Sequence, residues 1–199
     1  FTIEAPAQVQ TKATIGDGMN VNKLVYEVWM TKNYGVLTQD AQKLYQSSVG
    51  MQQEGDKNTA RVTLDLVNDQ KYTVLFWAQV GDTYDTKELT EVGYKNLDAL
   101  KANDESLAAF YAVAYVNDSK HVTKEGTPTS NTVTLRRPFA QVNLGTKNTS
   151  TEYTVSLSKS KMRLADVPTV FNVATSEVSE EVEVVFDMDE VPGGKLKLS

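Results

Sequence analysis

The side chains in this 199-residue sequence that could do chemistry are few and scattered. Its single histidine, His121, stands beside Lys120 in a polar stretch with no visible acid–base partner. Asp187, Asp189 and Glu190 open like a calcium loop, in which alternate carboxylates converge on one ion. The sixth position holds Pro192 where the sharp turn needs glycine, and no glutamate follows at the twelfth. An EF-hand is therefore excluded, while a different oxygen-rich calcium site stays open. Gly16-Asp17-Gly18 lacks the Lys-Ser/Thr that completes a phosphate-binding loop and reads as a turn. Asn117-Asp118-Ser119 and Asn148-Thr149-Ser150 fit the N-glycosylation pattern, which arises by chance and matters only on a eukaryotic secretory route. Cysteine is absent, which removes disulfides, thiolate nucleophiles and cysteine-based metal sites together. With no nucleophile–base pair and no paired carboxylates, we expect no enzyme, no cofactor and no metal site.

Composition narrows the field further. Hydrophobic residues make up 40% of the chain, enough to fill the core of one large β domain or two small ones. No run approaches the roughly 18 consecutive apolar residues of a membrane span. No charged-then-apolar segment leads the sequence, so an export signal is expected to have been removed or never to have existed. A formal net charge of −6 argues against nucleic acid, whose binding needs Lys and Arg to neutralise phosphates.

Period-two alternation recurs along the chain and long helical periodicity is scarce. Leu24, Tyr26, Val28 and Met30 alternate with Val25, Glu27 and Trp29, a strand apolar on one face and mixed on the other. Val62, Leu64 and Leu66 alternate with Arg61, Thr63 and Asp65, which predicts a half-buried strand. Tyr72, Val74, Phe76 and Ala78 interleave with Thr73, Leu75 and Trp77, which predicts a central strand buried on both faces. Further strands are expected at Phe110 to Val116, Thr132 to Leu135, Phe139 to Leu144, Tyr153 to Leu157 and Val182 to Met188. Within Arg136 to Thr146, Ala140, Val142 and Leu144 alternate with Gln141 and Asn143, with Pro138 at the entry and Gly145 at the close.

Gly16-Asp17-Gly18, Asn68-Asp69, Gly81-Asp82, Asn117-Asp118 and Gly193-Gly194 supply turns between these strands. Helix is expected at two places. Thr38 to Ser48 follows Leu37 and carries Ala41, Leu44 and Tyr45 at helix-like spacing. Leu97 to Phe110 carries Leu97, Leu100, Leu107 and Phe110, with Asn103 and Asp104 able to cap a second short helix. The fold class expected is all-β: an antiparallel Greek-key sandwich of two sheets, with one or two short helices in its crossovers. No repeat, low-complexity tract or linker divides residues 1–199, so a single domain is expected.

Two surface features remain. Glu181, Glu183 and Asp187 alternate with Val182, Val184 and Phe186, which reads as the solvated face of a strand whose charges discourage pairing. Trp29, Trp77, Tyr84 and Tyr94 are candidates for a platform that stacks on sugars, but Trp77 belongs to the most buried-looking strand and is expected in the core. Tyr84 and Tyr94 fall in a loop and are candidates for stacking on a sugar.

Four ordered segments resemble the fimbrillin-like subunits of type V pili from Bacteroidales. They are Lys12-Ala13-Thr14-Ile15-Gly16-Asp17-Gly18, then Lys71-Tyr72-Thr73-Val74-Leu75-Phe76-Trp77-Ala78, then Asn103-Asp104-Glu105 followed by Ala109-Phe110, then Arg137-Pro138-Phe139-Ala140-Gln141-Val142-Asn143-Leu144-Gly145. Each alone is a turn or a strand; their order and separation span nearly the whole chain. The resemblance implies a transthyretin-like β-sandwich corresponding to the N-terminal domain of a two-domain pilin. It also implies export as a lipoprotein, through a lipid-bearing cysteine on a precursor segment, and a place at the outer membrane or in a surface fimbrium.

The resemblance further implies assembly by strand exchange, in which one strand position is vacated and a neighbour's strand fills it. Phe1, Ile3 and Ala5 alternate with Thr2 and Glu4 as a first strand ended by Pro6, which makes residues 1 to 12 the displaceable segment. In the family an arginine-directed protease removes such a strand; the matching position here is Lys12, a lysine in place of arginine. Two functional classes follow. One is a fimbrial subunit or anchor whose partners are other pilins or copies of itself. The other is a monomeric surface adhesin that binds glycan or host protein through the Gly81 to Tyr94 loop.

Overall fold

In the computed structural model the described residues are 1–5, 18–33, 37, 40–67, 69–101, 104–116, 132–139 and 160–188. They form twelve strands: β1 (Thr2–Glu4), β2 (Lys23–Thr31), β3 (Gln42–Gly50), β4 (Gln52–Glu54), β5 (Lys57–Arg61), β6 (Lys71–Gln79), β7 (Tyr84–Asp85), β8 (Val92–Tyr94), β9 (Ala109–Val116), β10 (Thr132–Thr134), β11 (Ser160–Asn172) and β12 (Glu177–Met188). Two 3₁₀ turns, Leu97–Ala99 and Glu105–Leu107, are the helical elements among them.

The strand expected to be central is central. β6 lies between β2 and β9 in a sheet of order β3-β2-β6-β9, antiparallel throughout. Its side chains divide by parity. Tyr72, Val74, Phe76 and Ala78 enter one core with Ile3, Ala60 and Leu135; Leu75 and Trp77 enter a second core with Tyr84, Leu89, Val92 and Phe171. A sheet apolar on both faces needs a layer on each side. The first layer is a sheet of order β10-β1-β5-β4, and the second a sheet of order β12-β11-β8-β7.

The all-β, mostly antiparallel architecture is thus as expected, but it has three sheets where two were expected. The pattern in Lys71–Gln79 required a cover on both faces, and a two-sheet sandwich supplies only one. One pairing is parallel: β1 runs alongside β10, with Ile3 opposite Val133.

Both helix expectations are corrected. Thr38 to Ser48 contributes β3, paired with β2 from Lys23↔Gly50 to Met30↔Gln42. The ladder skips Leu44, so a bulge breaks the alternation and sets Leu44 beside Tyr45 in a spacing that imitates a helix. Among the described residues, Leu97 to Phe110 holds the two 3₁₀ turns before β9 begins. The second is capped by Asp104, whose carboxylate accepts from the Ser106 amide at 2.9 Å. The strand expected over Val62 to Leu66 is also corrected, because the β5 ladder stops at Arg61. Val62 is still buried, and its amide donates to the Phe1 carbonyl at 3.0 Å. Of the strand expected at Phe139 to Leu144 only Phe139 is described, and Tyr153 to Leu157 lies outside the described residues.

Gly18 shows how tightly the first core closes. Its φ is +83°, and a Cβ there would stand 2.7 Å from the ring of Phe110, itself fully buried. Gly18→Ala should therefore destabilise the fold by about 1–3 kcal/mol through backbone strain and overpacking together. Urea unfolding of the two proteins measures this, and equal midpoints would refute it.

Candidate functional site

The residues singled out from sequence fall in two places, on opposite sides of the central sheet. The first is β1. It lies inside its sheet, antiparallel to β5 (Thr2↔Arg61 to Glu4↔Thr59) and parallel to β10 (Thr2↔Thr132 to Glu4↔Thr134). Main-chain bonds extend the ladder beyond the three-residue strand. The Phe1 nitrogen donates to Val62 O at 2.8 Å, Ala5 N to Asn58 O at 2.9 Å, and Leu135 N to Glu4 O at 2.9 Å. Both edges of β1 are therefore occupied.

Side chains seat the strand as its alternation requires. Ile3 has no exposed surface and Ala5 only 2%, and the Phe1 ring meets Phe76 edge-on at 5.9 Å. Thr2 and Glu4 take the other face, where Glu4 pairs with Lys57 at 3.3 Å. Fully burying the isoleucine contributes about 1.5–3 kcal/mol, and the partly buried Phe1 ring contributes less. Lys12 lies outside the described residues.

The second place is the tyrosine pair. Tyr84 and Tyr94 are not in a loop, as expected, but face each other across the β7–β8 ladder of the third sheet. Tyr84 is the inner member. Its hydroxyl donates to the Leu107 carbonyl at 2.7 Å, and its ring packs 5.3 Å from Trp77, 5.7 Å from Tyr94 and 6.1 Å from Phe139. Burial foremost, with Tyr94 and the negative Asp104 nearby, pushes its phenol well above the usual tyrosine range. Tyr94 is only half-buried, and burial and then Asp104 raise its phenol too. Trp77 is core, its indole donating to Gln79 at 3.0 Å.

Sequence reading passed over Glu27. It projects from β2 into the second core with no exposed surface. Its carboxylate accepts from the Leu89 amide at 2.8 Å and the Trp29 indole at 2.9 Å, and Lys43 approaches at 3.4 Å. Lys43 also pairs with Glu88. Burial alone would lower the Lys43 ammonium, but Glu88 and Glu27 outweigh it and hold its pKa above the ordinary value. An acidic residue inside an otherwise apolar strand was the available signal. Its role here is to fasten the segment before β8 to the central sheet.

Nothing among the described residues assembles reactive groups. No cluster of three or more His, Asp or Glu side chains there could hold a metal ion. His121, Asp189 and Glu190 lie outside them. Glu181 and Glu183 stand exposed on the edge strand β12 while Val184 turns inward, the alternation expected of a solvated face. No helix among the described residues is long and apolar enough to cross a membrane, which leaves β-barrels unaddressed.

The family model described as "Family of unknown function (DUF6562)" matches residues 1–193. The chain belongs to the DUF6562 family. No curated protein matches its sequence. Two solved structures resemble this DUF6562 member at low identity. One, from Bacteroides thetaiotaomicron, is described as a "putative polysaccharide binding" protein (DUF1812). It is 12% identical, with a TM-score of 0.52 over 92% of this chain. The chain spans 63% of that protein's length, and the likeness establishes a shared fold. The other, a fimbrial assembly protein from Parabacteroides distasonis, is 14% identical, with a TM-score of 0.43 over 96% of this chain and 76% of its own.

The buried Tyr84 phenol generates a pH dependence. Its folded-state pKa is raised above the unfolded value of about 10, so the stability tied to the neutral phenol is complete below that pH. That stability is lost as pH rises beyond it, because only the unfolded tyrosine ionises freely there. Tyr84→Phe should cost about 1 kcal/mol at neutral pH through the lost bond to Leu107. It should also flatten the fall in Tm above pH ~10. Parallel Tm–pH curves for the two proteins would contradict this assignment.

Proposed function

We propose that this chain is a non-enzymatic cell-surface subunit or anchor of a fimbria, joined to other pilins or to copies of itself by strand exchange at the position of β1. In this reading it is exported and held at the outer membrane by a lipid on a precursor segment. Residues 1–199 then act as one pilin-like sandwich domain. The ordered motifs shared with the fimbrillin-like subunits support it. The observation that carries it is the seating of β1. A three-residue strand, with Ile3 wholly buried, fills a gap between two strands distant in sequence, β5 and β10. Were that strand withdrawn, both rims would present unpaired main-chain groups beside apolar pockets, the arrangement that binds an added strand.

The proposed displaceable segment is residues 1–12, with Lys12 as its processing point. Limited trypsin digestion of the folded protein, followed by incubation with a labelled synthetic peptide of residues 1–12, tests it. Cleavage at Lys12 and incorporation of the label are expected, with an Ile3→Asp peptide failing to enter. Cleaved protein that never takes up the peptide, or a Lys12 bond that resists trypsin, would sink the proposal.

A second reading, a glycan-binding adhesin, rests on the half-exposed Tyr94 ring and on the description of the Bacteroides thetaiotaomicron protein. Tyr84 is too enclosed to offer a stacking face, so Tyr94 would carry the contact. Under that reading the protein binds a glycan array, and Tyr94→Ala weakens binding by about 1–2 kcal/mol at a temperature where circular dichroism shows the variant still folded. An array without signal would remove it.

A further inference from the structure

The slot that β1 occupies has two rims of different character. Phe1 and Val62 exchange both main-chain bonds, at 2.8 and 3.0 Å, so Thr2 and Arg61 form the next, non-hydrogen-bonded pair of the β1–β5 ladder. Residues in such pairs stand closest, with Cα atoms about 4.5 Å apart. Ile3 and Ala60 point into the first core, so Thr2, Glu4, Lys57, Thr59 and Arg61 point away from it. The β5 rim thus lines the outward side of the slot with two cations, Lys57 and Arg61. The β10 rim brings the neutral Thr132 and Thr134 opposite Thr2 and Glu4.

β1 answers one of these cations. Glu4 reaches Lys57 at 3.3 Å, and Glu54 faces the same lysine from β4. Arg61 is exposed and has no ion pair among the described residues. The β4 ladder runs from Gln52↔Thr59 to Glu54↔Lys57 and places nothing opposite Arg61. Its direct neighbour in β1 is the uncharged Thr2.

We propose that the β1 slot selects its incoming strand by charge, taking a segment of another polypeptide with carboxylates at both outward positions, opposite Arg61 and beside Lys57. This rests on the reading of β1 as an exchanged strand and names the occupant that reading leaves open. Opposite charges directly across a strand pair stabilise it, and like charges weaken it. The resident Phe1-Thr2-Ile3-Glu4-Ala5 fills the inward hollows but matches only half of the outward charge. It therefore holds the fold together while binding less well than a strand acidic at both places. The inward side restricts which acidic strands qualify, because the Ile3 hollow is closed to water and a charge sent into it would be buried unpaired. No segment of residues 1–199 combines two such carboxylates with a large, an aliphatic and a small inward residue. A second copy offering residues 1–5 would again set threonine against Arg61.

Two measurements test the proposal, one on the intact chain and one on exchange. In the intact chain Thr2→Glu should melt about 1–3 °C above the isosteric Thr2→Gln, and Thr2→Lys below it. Both differences should disappear when Arg61→Gln is added, and shrink in about 1 M salt. For exchange, protein cleaved at Lys12 is offered labelled peptides of residues 1–12 that differ only at position 2. The Thr2→Glu peptide should compete about two- to fivefold better than the Thr2→Gln peptide, and the Thr2→Lys peptide worse. The net charge of −6 works against any unspecific preference for the more acidic peptide. Tm differences that ignore Arg61, or peptides taken up alike whatever their second residue, would overturn charge selection and leave strand exchange standing. A slot that takes up none of the peptides would overturn both.

Discussion

Val74, Leu75, Phe76, Trp77 and Ala78 are five consecutive residues with no exposed surface, and every other feature of the molecule accommodates them. An extended chain sends successive side chains to opposite faces, so a wholly buried run needs apolar cover both above and below. It also needs a strand on each side to satisfy its main chain, and β2 and β9 provide those. The three-layer arrangement is the consequence of this one segment.

Polar groups buried in and around so dry a sheet must find partners, some in a covering layer and some along the same strand. Glu27 takes the Leu89 amide, and Gln79 bridges the Trp77 indole to the Gly81 carbonyl. On the opposite side, buried Asn58 donates to the carbonyls of Gly18 and Met19. Removing one partner from a buried charged set typically costs about 3–5 kcal/mol. The Glu27 contact therefore fixes where the segment before β8 lies as well as holding it there.

What was legible in the sequence was whatever a short window could contain. Lys71–Gln79 announced its position because both parities are apolar, and the solvated face of β12 was visible in Glu181 and Glu183. β3 was obscured by its bulge at Leu44. β11 was obscured by Pro168 and by a register shift between Leu164 and Val167, where Asp166 adopts a φ of 53°. β7 and β8 are too short to show any period. The Glu27 partner at Leu89 is 62 residues away, and Ile3 meets Val133 across most of the chain. Such long-range neighbours leave no mark on local pattern, so which strands make up each layer and the interior position of β1 could be seen only in the folded protein.

The mixed pairing around β1 has a consequence of its own. Because β1 is parallel to β10 and antiparallel to β5, its two neighbours run opposite to each other. Any chain lying between them makes one ladder of each kind whichever way it points, so the backbone is blind to direction. The unequal hollows under Phe1, Ile3 and Ala5, with the Glu4–Lys57 pair near one end, tell one end from the other. Polarity at this position is written in the sizes of three side chains, two large and one small.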